Sequence, residues 1–213
     1  MKTDDLISML ASDAPAIDRS AVLWRIAALL LAGAAISFVV MVMWLEINPE
    51  LNLMIFNPWF WVRFTFIASA SALAWWVLFR LGKPGIARGV KWWWIATPVA
   101  LIAVIGCMLL VQAPAQDRMP MILGISWDEC SRNIAVLSIP IFVVSILIAR
   151  NFAPTRLRLT GATLGFFSGA LAAFIYSMHC PELAPSFLMI WYVLGMAIPA
   201  VVGALLGRRL LAW

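Results

Sequence analysis

Six long runs of residues without a charged side chain dominate the chain. They lack the period-2 alternation of apolar and polar positions that is typical of a barrel strand. A spanning helix needs about 20 predominantly apolar residues, and lipid tolerates only helices or closed barrels. The pattern therefore predicts an all-α, polytopic membrane protein, a bundle of six transmembrane helices. We expect these spans at 24–45, 61–79, 92–111, 134–149, 159–178 and 187–207.

Two stretches depart from this simple pattern. The second run, 64–79, is short for a span, but the aromatic stretch 59–62 before it extends its apolar length. The stretch 119–127 is also uncharged, but it is too short to cross a bilayer. We interpret 119–127 as a short interfacial or re-entrant piece.

The overall composition supports a lipid environment. The chain of 213 residues is 64% hydrophobic and only 12% charged. Soluble domains carry about 45–50% apolar and about 25% charged residues. An ordinary soluble enzyme is excluded, because it needs polar side chains to cover its surface and this chain lacks them. A disordered chain is excluded as well, because disordered chains are rich in polar and charged residues.

The positive charges indicate an orientation. With six spans both termini lie on one side, and that side would hold 12 of the 15 Lys and Arg residues. The other side would hold only Arg63, Arg118 and Arg132. Cytoplasmic loops carry an excess of Lys and Arg, so both termini are predicted to be cytoplasmic. The net charge of +5 is then explained by topology, and direct nucleic-acid binding is not expected.

Glycines recur at every fourth position in the last two predicted spans. They are Gly161, Gly165 and Gly169 in the fifth span and Gly203 and Gly207 in the sixth. Small residues at this spacing let two helix backbones approach closely inside a bilayer. The pattern predicts packing within one chain, with a homo-oligomer contact as the alternative.

The N-terminal segment, residues 1–23, is predicted to be a separate cytoplasmic region before the transmembrane domain at 24–213. Asp4 and Asp5 favour the start of a helix, and Leu6, Met9 and Leu10 form a narrow apolar stripe. Membrane-surface helices are usually basic, whereas this segment is acidic, which favours docking onto a protein partner. A solvated tail is the alternative.

Two cysteines and the single histidine fall on the predicted outer side. Cys130 precedes the fourth span, and His179 and Cys180 lie between the fifth and sixth, so we expect both thiols in loops. Three interpretations stay open: a structural disulfide, a redox or thiophilic-metal switch, and unrelated buried thiols. Cys130, His179 and Cys180 alone would make an incomplete metal site. A nearby carboxylate could complete that site. Cys107, within the third span, is interpreted as an apolar filler.

No known catalytic pattern accompanies these thiols. The sequence holds no P-loop, zinc-protease, nucleophile-elbow or C-x-x-C motif, and the charge-free runs offer no proton relay. This argues against a transporter and against an enzyme acting at the bilayer midplane. No permanent cofactor is expected. The remaining alternative to a regulator is a membrane thiol redox enzyme or metal-handling protein.

Several short motifs resemble the NrsF-type proteins, a family of bacterial inner-membrane anti-sigma factors. The resemblance covers nearly the whole chain, and its most specific element is the run His179-Cys180-Pro181-Glu182. It also includes the opening Met1–Ile7, the outer Cys130, Trp191-Tyr192 and the closing Leu205–Arg209. Cys107 is an additional thiol that matches no part of the family pattern.

The resemblance implies a function that composition does not. Such a protein would hold a cognate extracytoplasmic-function (ECF) sigma factor inactive at the inner membrane until metal or oxidative stress acts on the outer face. The family's stress-responsive thiols correspond to Cys130 and Cys180, joined by a transient disulfide or a heavy-metal ion. The sigma factor is expected to contact the cytoplasmic side, at Asp4, Asp5, Leu6, Ile7 and Leu10, helped by the basic loop at 80–91.

Overall fold

The computed structural model of the protein describes residues 18–82, 91–152 and 154–212. All regular structure within these ranges is helical. The six long helices are α1 (Arg19–Leu45), α2 (Pro58–Leu81), α3 (Ala96–Gln112), α4 (Trp127–Ala149), α5 (Leu157–Tyr176) and α6 (Val193–Leu210). With the short helices that adjoin some of them, they give six segments long and apolar enough to cross a membrane within the described ranges. The six predicted helices are therefore confirmed.

Shorter helical pieces connect and extend the long helices. A four-residue helix, Leu51–Met54, lies between α1 and α2, and a 3-10 turn, Trp92–Ile95, leads into α3. The uncharged stretch at 119–127 belongs mostly to the short helix Ala115–Leu123 and the turn before α4. A three-residue helix, Pro185–Phe187, and a π-helical turn, Leu188–Tyr192, lead into α6.

Helix starts are set by local capping. The Asp18 side chain accepts a hydrogen bond from the backbone N–H of Ser20 at 2.9 Å, so α1 begins at Arg19 rather than at residue 24. The Asn57 side chain accepts from the N–H of Trp59 at 3.0 Å, and Pro58 occupies the first position of α2. The aromatic residues at 59–62 therefore belong to α2, as the sequence predicts.

The fifth helix is the centre of the bundle. It packs most extensively against α6 and also contacts α4, α2 and α1. Most residues of its buried face are small, among them Gly165, Ser168 and Ala172. A narrow central helix lets four neighbours surround it, whereas α3 packs at the edge against α2 and the start of the sixth segment.

The glycine spacing serves the contact between α5 and α6. A Cβ atom at Gly161 would overlap the carbonyl oxygen of Gly203, and one at Gly165 would overlap that of Pro199. At Gly169 it would lie 2.8 Å from the Cα atom of Met196. Packing within one chain therefore accounts for the pattern, and a homo-oligomer stays a prediction.

A second close contact joins α1 to α4. The hydroxyl of Ser37 donates to the carbonyl oxygen of Leu137 at 2.8 Å, and both residues are fully buried. One turn away, Gly33 faces the backbone of Pro140 and Ile141. Together with α5 and α6, these helices enclose the main apolar core, which extends to both predicted outer cysteines.

Candidate functional site

Cys130 lies in a helix, and this corrects its prediction as a loop residue. It occupies the first turn of α4, which begins at Trp127 rather than at residue 134. Asp128 and Glu129 precede it in the same turn, where negative side chains are stabilised by the positive end of a helix. The earlier start buries the Cys130 thiol completely against α5 and α6.

Cys180 lies in the connection between α5 and the sixth segment, as predicted, but it is also fully buried. Its backbone N–H donates to the carbonyl oxygen of Tyr176 at 3.0 Å, which continues the last turn of α5. Its own carbonyl oxygen accepts from Arg63 Nη1 at 2.8 Å, and the Glu182 carbonyl accepts from the same nitrogen at 3.0 Å. An arginine of α2 therefore holds the chain on both sides of Pro181.

The fold brings the two cysteines into one buried cluster. Their thiols interact directly although 49 residues separate them in sequence, and both are free cysteines. The Ser126 hydroxyl lies 3.8 Å from the Cys180 sulfur, and the Tyr176 and Tyr192 rings lie 6.1 Å apart beside the pair. Two thiols in contact can be joined by a two-electron oxidation or can share one soft metal ion.

Several buried polar groups lie around the thiols. Arg63 Nη2 has no hydrogen-bond partner within the described ranges, and neither the Asn133 amide atoms nor the Tyr192 hydroxyl form a hydrogen bond of standard geometry there. The Tyr192 hydroxyl interacts instead with Cys180, and the Asn133 side chain with Tyr176. Unsatisfied buried polar groups are uncommon in proteins, and each costs about 1–3 kcal/mol. The concentration of buried polar groups beside the two thiols is typical of a site that has a function rather than of an ordinary apolar core.

The two thiols differ in character. A hydrogen bond from Cys130 lowers the pKa of Cys180 to about 6, although burial alone would raise it. The backbone N–H of Glu182 and the positive charge of Arg63 act in the same direction. Cys180 is therefore the member of the pair that carries a thiolate at neutral pH, and a thiolate is the reactive form toward oxidants and metals.

We expect this thiolate to appear as a pH-dependent step. Ultraviolet absorbance of the detergent-solubilised protein should rise through a midpoint near pH 6, and Cys180→Ser should abolish that rise. The pKa of Cys180 is lowered from its ordinary value of 9.0, so its contribution to stability is fully present above pH 9 and is lost as the pH falls through 6. Thermal unfolding across this range would measure it. Cys107→Ser is the control, and a rise that survives in Cys180→Ser would contradict the assignment.

The His179 side chain does not join the two thiols. Its Nδ1 atom lies 3.0 Å from the carbonyl oxygen of Glu46, and its ring packs 5.6 Å from that of Tyr176. Across the described parts of the chain, no three or more His, Cys, Asp or Glu side chains are grouped so that they could hold a metal ion. The structure thus unites Cys130 with Cys180 but does not assemble them with His179 into a three-ligand site.

Arg63 is a site residue that the sequence does not single out. The sequence predicts it only on the outer side, yet it is 1% exposed and contacts the Cys180 backbone. Glu182 belongs to the family run, but its contact was not predicted. The Glu182 carboxylate accepts from the N–H of Ile125 at 2.6 Å, in the turn that precedes α4. The available signal for Arg63 was its position at the end of a charge-free run, which also fits an ordinary boundary residue.

The predicted sigma-factor contacts lie outside the described residues. They are Asp4, Asp5, Leu6, Ile7 and Leu10, and most of the basic loop at 80–91 also falls outside. The contact site stays a prediction.

Relatives of known role identify the class of protein. The family model for negative regulators of sigma F, NrsF, matches residues 10–213. The probable anti-sigma-F factor NrsF of Azospira oryzae is 37% identical, and the anti-sigma-F factor NrsF of Caulobacter vibrioides is 34% identical. Both alignments cover 100% of each chain, whereas no solved structure matches. A helical chain with six segments of spanning length and this similarity is a regulator and not an enzyme. The chain belongs to the NrsF family, which confirms the resemblance seen in its motifs.

Proposed function

We propose that the protein is an anti-sigma factor of the bacterial inner membrane that holds an ECF sigma factor inactive. The full-length similarity to two anti-sigma-F factors supports the sigma-factor partner. Six helices of spanning length support insertion into the membrane. Lys and Arg are concentrated in the two termini and in the connections after the second and fourth spans, which supports both termini in the cytoplasm. The acidic N-terminal segment, with its stripe of apolar residues, then lies in the cytoplasm, where sigma factors act.

The buried thiol pair is the proposed stress sensor. The observation that carries this proposal is the direct interaction of Cys130 with Cys180 among buried polar groups, one of which, Arg63 Nη2, has no hydrogen-bond partner among the described residues. A hydroperoxide can oxidise the two thiols to a disulfide, being itself reduced to an alcohol and water. A thiophilic cation can instead bind both sulfurs, with release of the proton that the Cys130 thiol carries.

Either event would alter helix packing near the pair. Cys130 lies in α4, and Cys180 lies in the connection that follows α5, so a bond between their sulfurs draws these elements into a new arrangement. The Ser131 hydroxyl of α4 also donates to the Trp191 carbonyl oxygen at 2.8 Å, in the π-helical turn before α6. A stimulus shifts a conformational equilibrium only if it favours one state energetically, and a covalent or metal–thiolate bond does so.

The sensing role is tested by serine replacement of the two thiols. In cells that carry Cys130→Ser or Cys180→Ser, a sigma-dependent promoter should stay repressed under cadmium or hypochlorite, because neither variant can form the bridge. The matched control is Cys107→Ser, an exposed thiol of α3, which should leave the response intact. A normal response in the Cys130 and Cys180 variants would remove the thiol mechanism.

Sigma-factor binding is tested separately with the full chain and a chain lacking residues 1–23. The full chain should co-purify with its sigma factor under reducing conditions, and the truncated chain should lose it. Membrane fractionation of the truncated chain is the control for insertion. Undiminished binding by a membrane-inserted truncated chain would place the contact elsewhere on the cytoplasmic side.

A further inference from the structure

Arg63 is a buried cation whose charge favours the Cys180 thiolate, but it forms no bond to the oxidant or the metal in the proposed sensing chemistry. It lies in the second turn of α2, is 1% exposed, and its guanidinium carbon lies 5.4 Å from the Phe60 ring centroid. Its Nη1 atom donates to two backbone carbonyl oxygens, those of Cys180 and Glu182. Its Nη2 atom is buried without a hydrogen-bond partner in the described chain.

No carboxylate pairs with this arginine among the described residues. The single salt bridge found there joins Arg132 to Glu129 at the surface. Burying a charge costs several kcal/mol unless partners compensate it, and ionisable groups at membrane depth usually mark function. The two carbonyl oxygens are thus the main partners of Arg63, and losing them would leave the cation uncompensated.

The segment that Arg63 holds is connected to three long helices. The segment follows α5 directly. Its Glu182 carboxylate accepts a hydrogen bond from the backbone N–H of Ile125 at 2.6 Å, in the turn that precedes α4. A Cβ atom at Gly124, whose φ is +57°, would lie 2.5 Å from that carboxylate. Arg63 adds α2 to the same junction. A displacement of the Cys180 backbone therefore changes contacts with α2, α4 and α5 at the same time.

The second helix is suited to carry such a displacement across the protein. Its buried face runs almost its full length, through Phe66, Ala70, Ala74, Val77 and Leu81. Close-packed interiors transmit displacements because their side chains have little free space. The last turn of the helix carries Arg80, and the basic loop at 80–91 follows it in sequence, on the side proposed to bind the sigma factor.

We propose that Arg63 is the positioning residue that couples the state of the Cys130–Cys180 pair to the opposite end of α2. Modification of the pair moves the Cys180 carbonyl oxygen. Arg63 follows that oxygen, because separation would leave a buried guanidinium without its partners, and α2 shifts with it. This inference rests on the proposed function, since it names how the thiol site reaches the sigma-binding side.

The test measures coupling rather than affinity alone. Full-length protein in lipid nanodiscs is titrated with its sigma factor, once reduced with dithiothreitol and once oxidised with hydrogen peroxide. Coupled sites typically change each other's affinity about 5–150-fold, and we expect a ratio of reduced to oxidised affinity in that range for the wild type. The ratio is compared only for variants in which thiol titration shows that the Cys130–Cys180 disulfide has formed. Arg63→Gln should then bring the ratio close to one, whereas Arg63→Lys, which keeps a cationic donor, should retain most of it.

The control is Arg132→Gln, which removes an exposed arginine from the same end of the bundle. It should leave the ratio unchanged. A purely structural role for Arg63 would weaken both affinities together and preserve the ratio, so an unchanged ratio in a folded Arg63→Gln variant overturns the inference. A wild-type ratio of one overturns the proposed function instead.

Hydrogen–deuterium exchange on the wild type keeps the inference testable if Arg63→Gln does not fold. Oxidation should change exchange in peptides from both ends of α2, 58–66 and 74–82, and Cys180→Ser should abolish the change. Exchange that is altered only around 124–130 and 177–184 would show a local event and overturn the coupling. A change along α2 without any effect on sigma affinity would support the coupling and reject the proposed function.

Discussion

Replacing Gly165 with alanine is expected to prevent the normal packing of α5 against α6. The new Cβ atom would overlap the carbonyl oxygen of Pro199 and lie 2.8 Å from the Cα atom of Ala200. Both neighbours are backbone atoms, so no side-chain rotation relieves the overlap and the helices must separate. Overpacking costs about 1–3 kcal/mol, occasionally more, and a backbone overlap puts this variant at or above about 3 kcal/mol.

The yield of folded protein and its thermal unfolding in detergent measure this effect. A loss of this size is a large share of the ~5–15 kcal/mol that stabilises a typical protein, so little folded variant should be recovered. Gly82→Ala is the matched control, because its Cβ atom would meet its nearest neighbours at 3.6 Å, an ordinary contact. Wild-type unfolding of Gly165→Ala would mean that α5 and α6 are not packed as the structure describes.

Replacing Glu182 with alanine is expected to loosen the thiol site while leaving the helices intact. The change removes the acceptor for the Ile125 N–H, a 2.6 Å hydrogen bond between an exposed backbone group and a half-buried carboxylate. Hydrogen bonds to charged groups contribute about 1.5–3 kcal/mol, and the exposed setting places this one at the lower end of that range. Because the turn before α4 then loses its anchor to the Cys180 segment, both thiols should react faster with maleimide.

The matched control removes another carboxylate from the same end of the protein. Glu129 pairs with Arg132 at 3.5 Å, and both side chains are more than half exposed. Such surface pairs contribute about 0–1 kcal/mol, so Glu129→Ala should be nearly neutral in both measurements. Equal maleimide rates in Glu182→Ala and the wild type would show that the Glu182 carboxylate does not hold the site closed.

The helices were predictable because their cause lies in the local sequence. A charged side chain inside lipid is costly, so charge-free runs mark the spans directly, and the structure places helices over all six. The glycine spacing also predicted the close contact of α5 with α6, since a four-residue repeat puts small side chains on one helix face. The main errors fell at helix starts, at Asp18 and Trp127, where caps and flanking charges extend a helix beyond its apolar run.

The thiol site was predictable only in part. The sequence placed Cys130 and Cys180 on the same predicted side, and the resemblance to NrsF-type proteins implied that they act together. Burial was only one of three interpretations, because burial of Cys130 follows from where α4 begins and how it packs. Nor did it reveal Arg63, since a charge at the end of an apolar run fits a solvated boundary residue equally well.

The sequence by itself therefore determined the class of this protein. Hydropathy, charge distribution and a few motifs specify six helices, their expected orientation and the family, because each depends on residues close together in the chain. Only the tertiary structure decided the geometry of the site. The contacts of Arg63 with Cys180 and of Glu182 with Ile125 join residues far apart in sequence, and they arise from the mutual packing of helices that no single segment encodes.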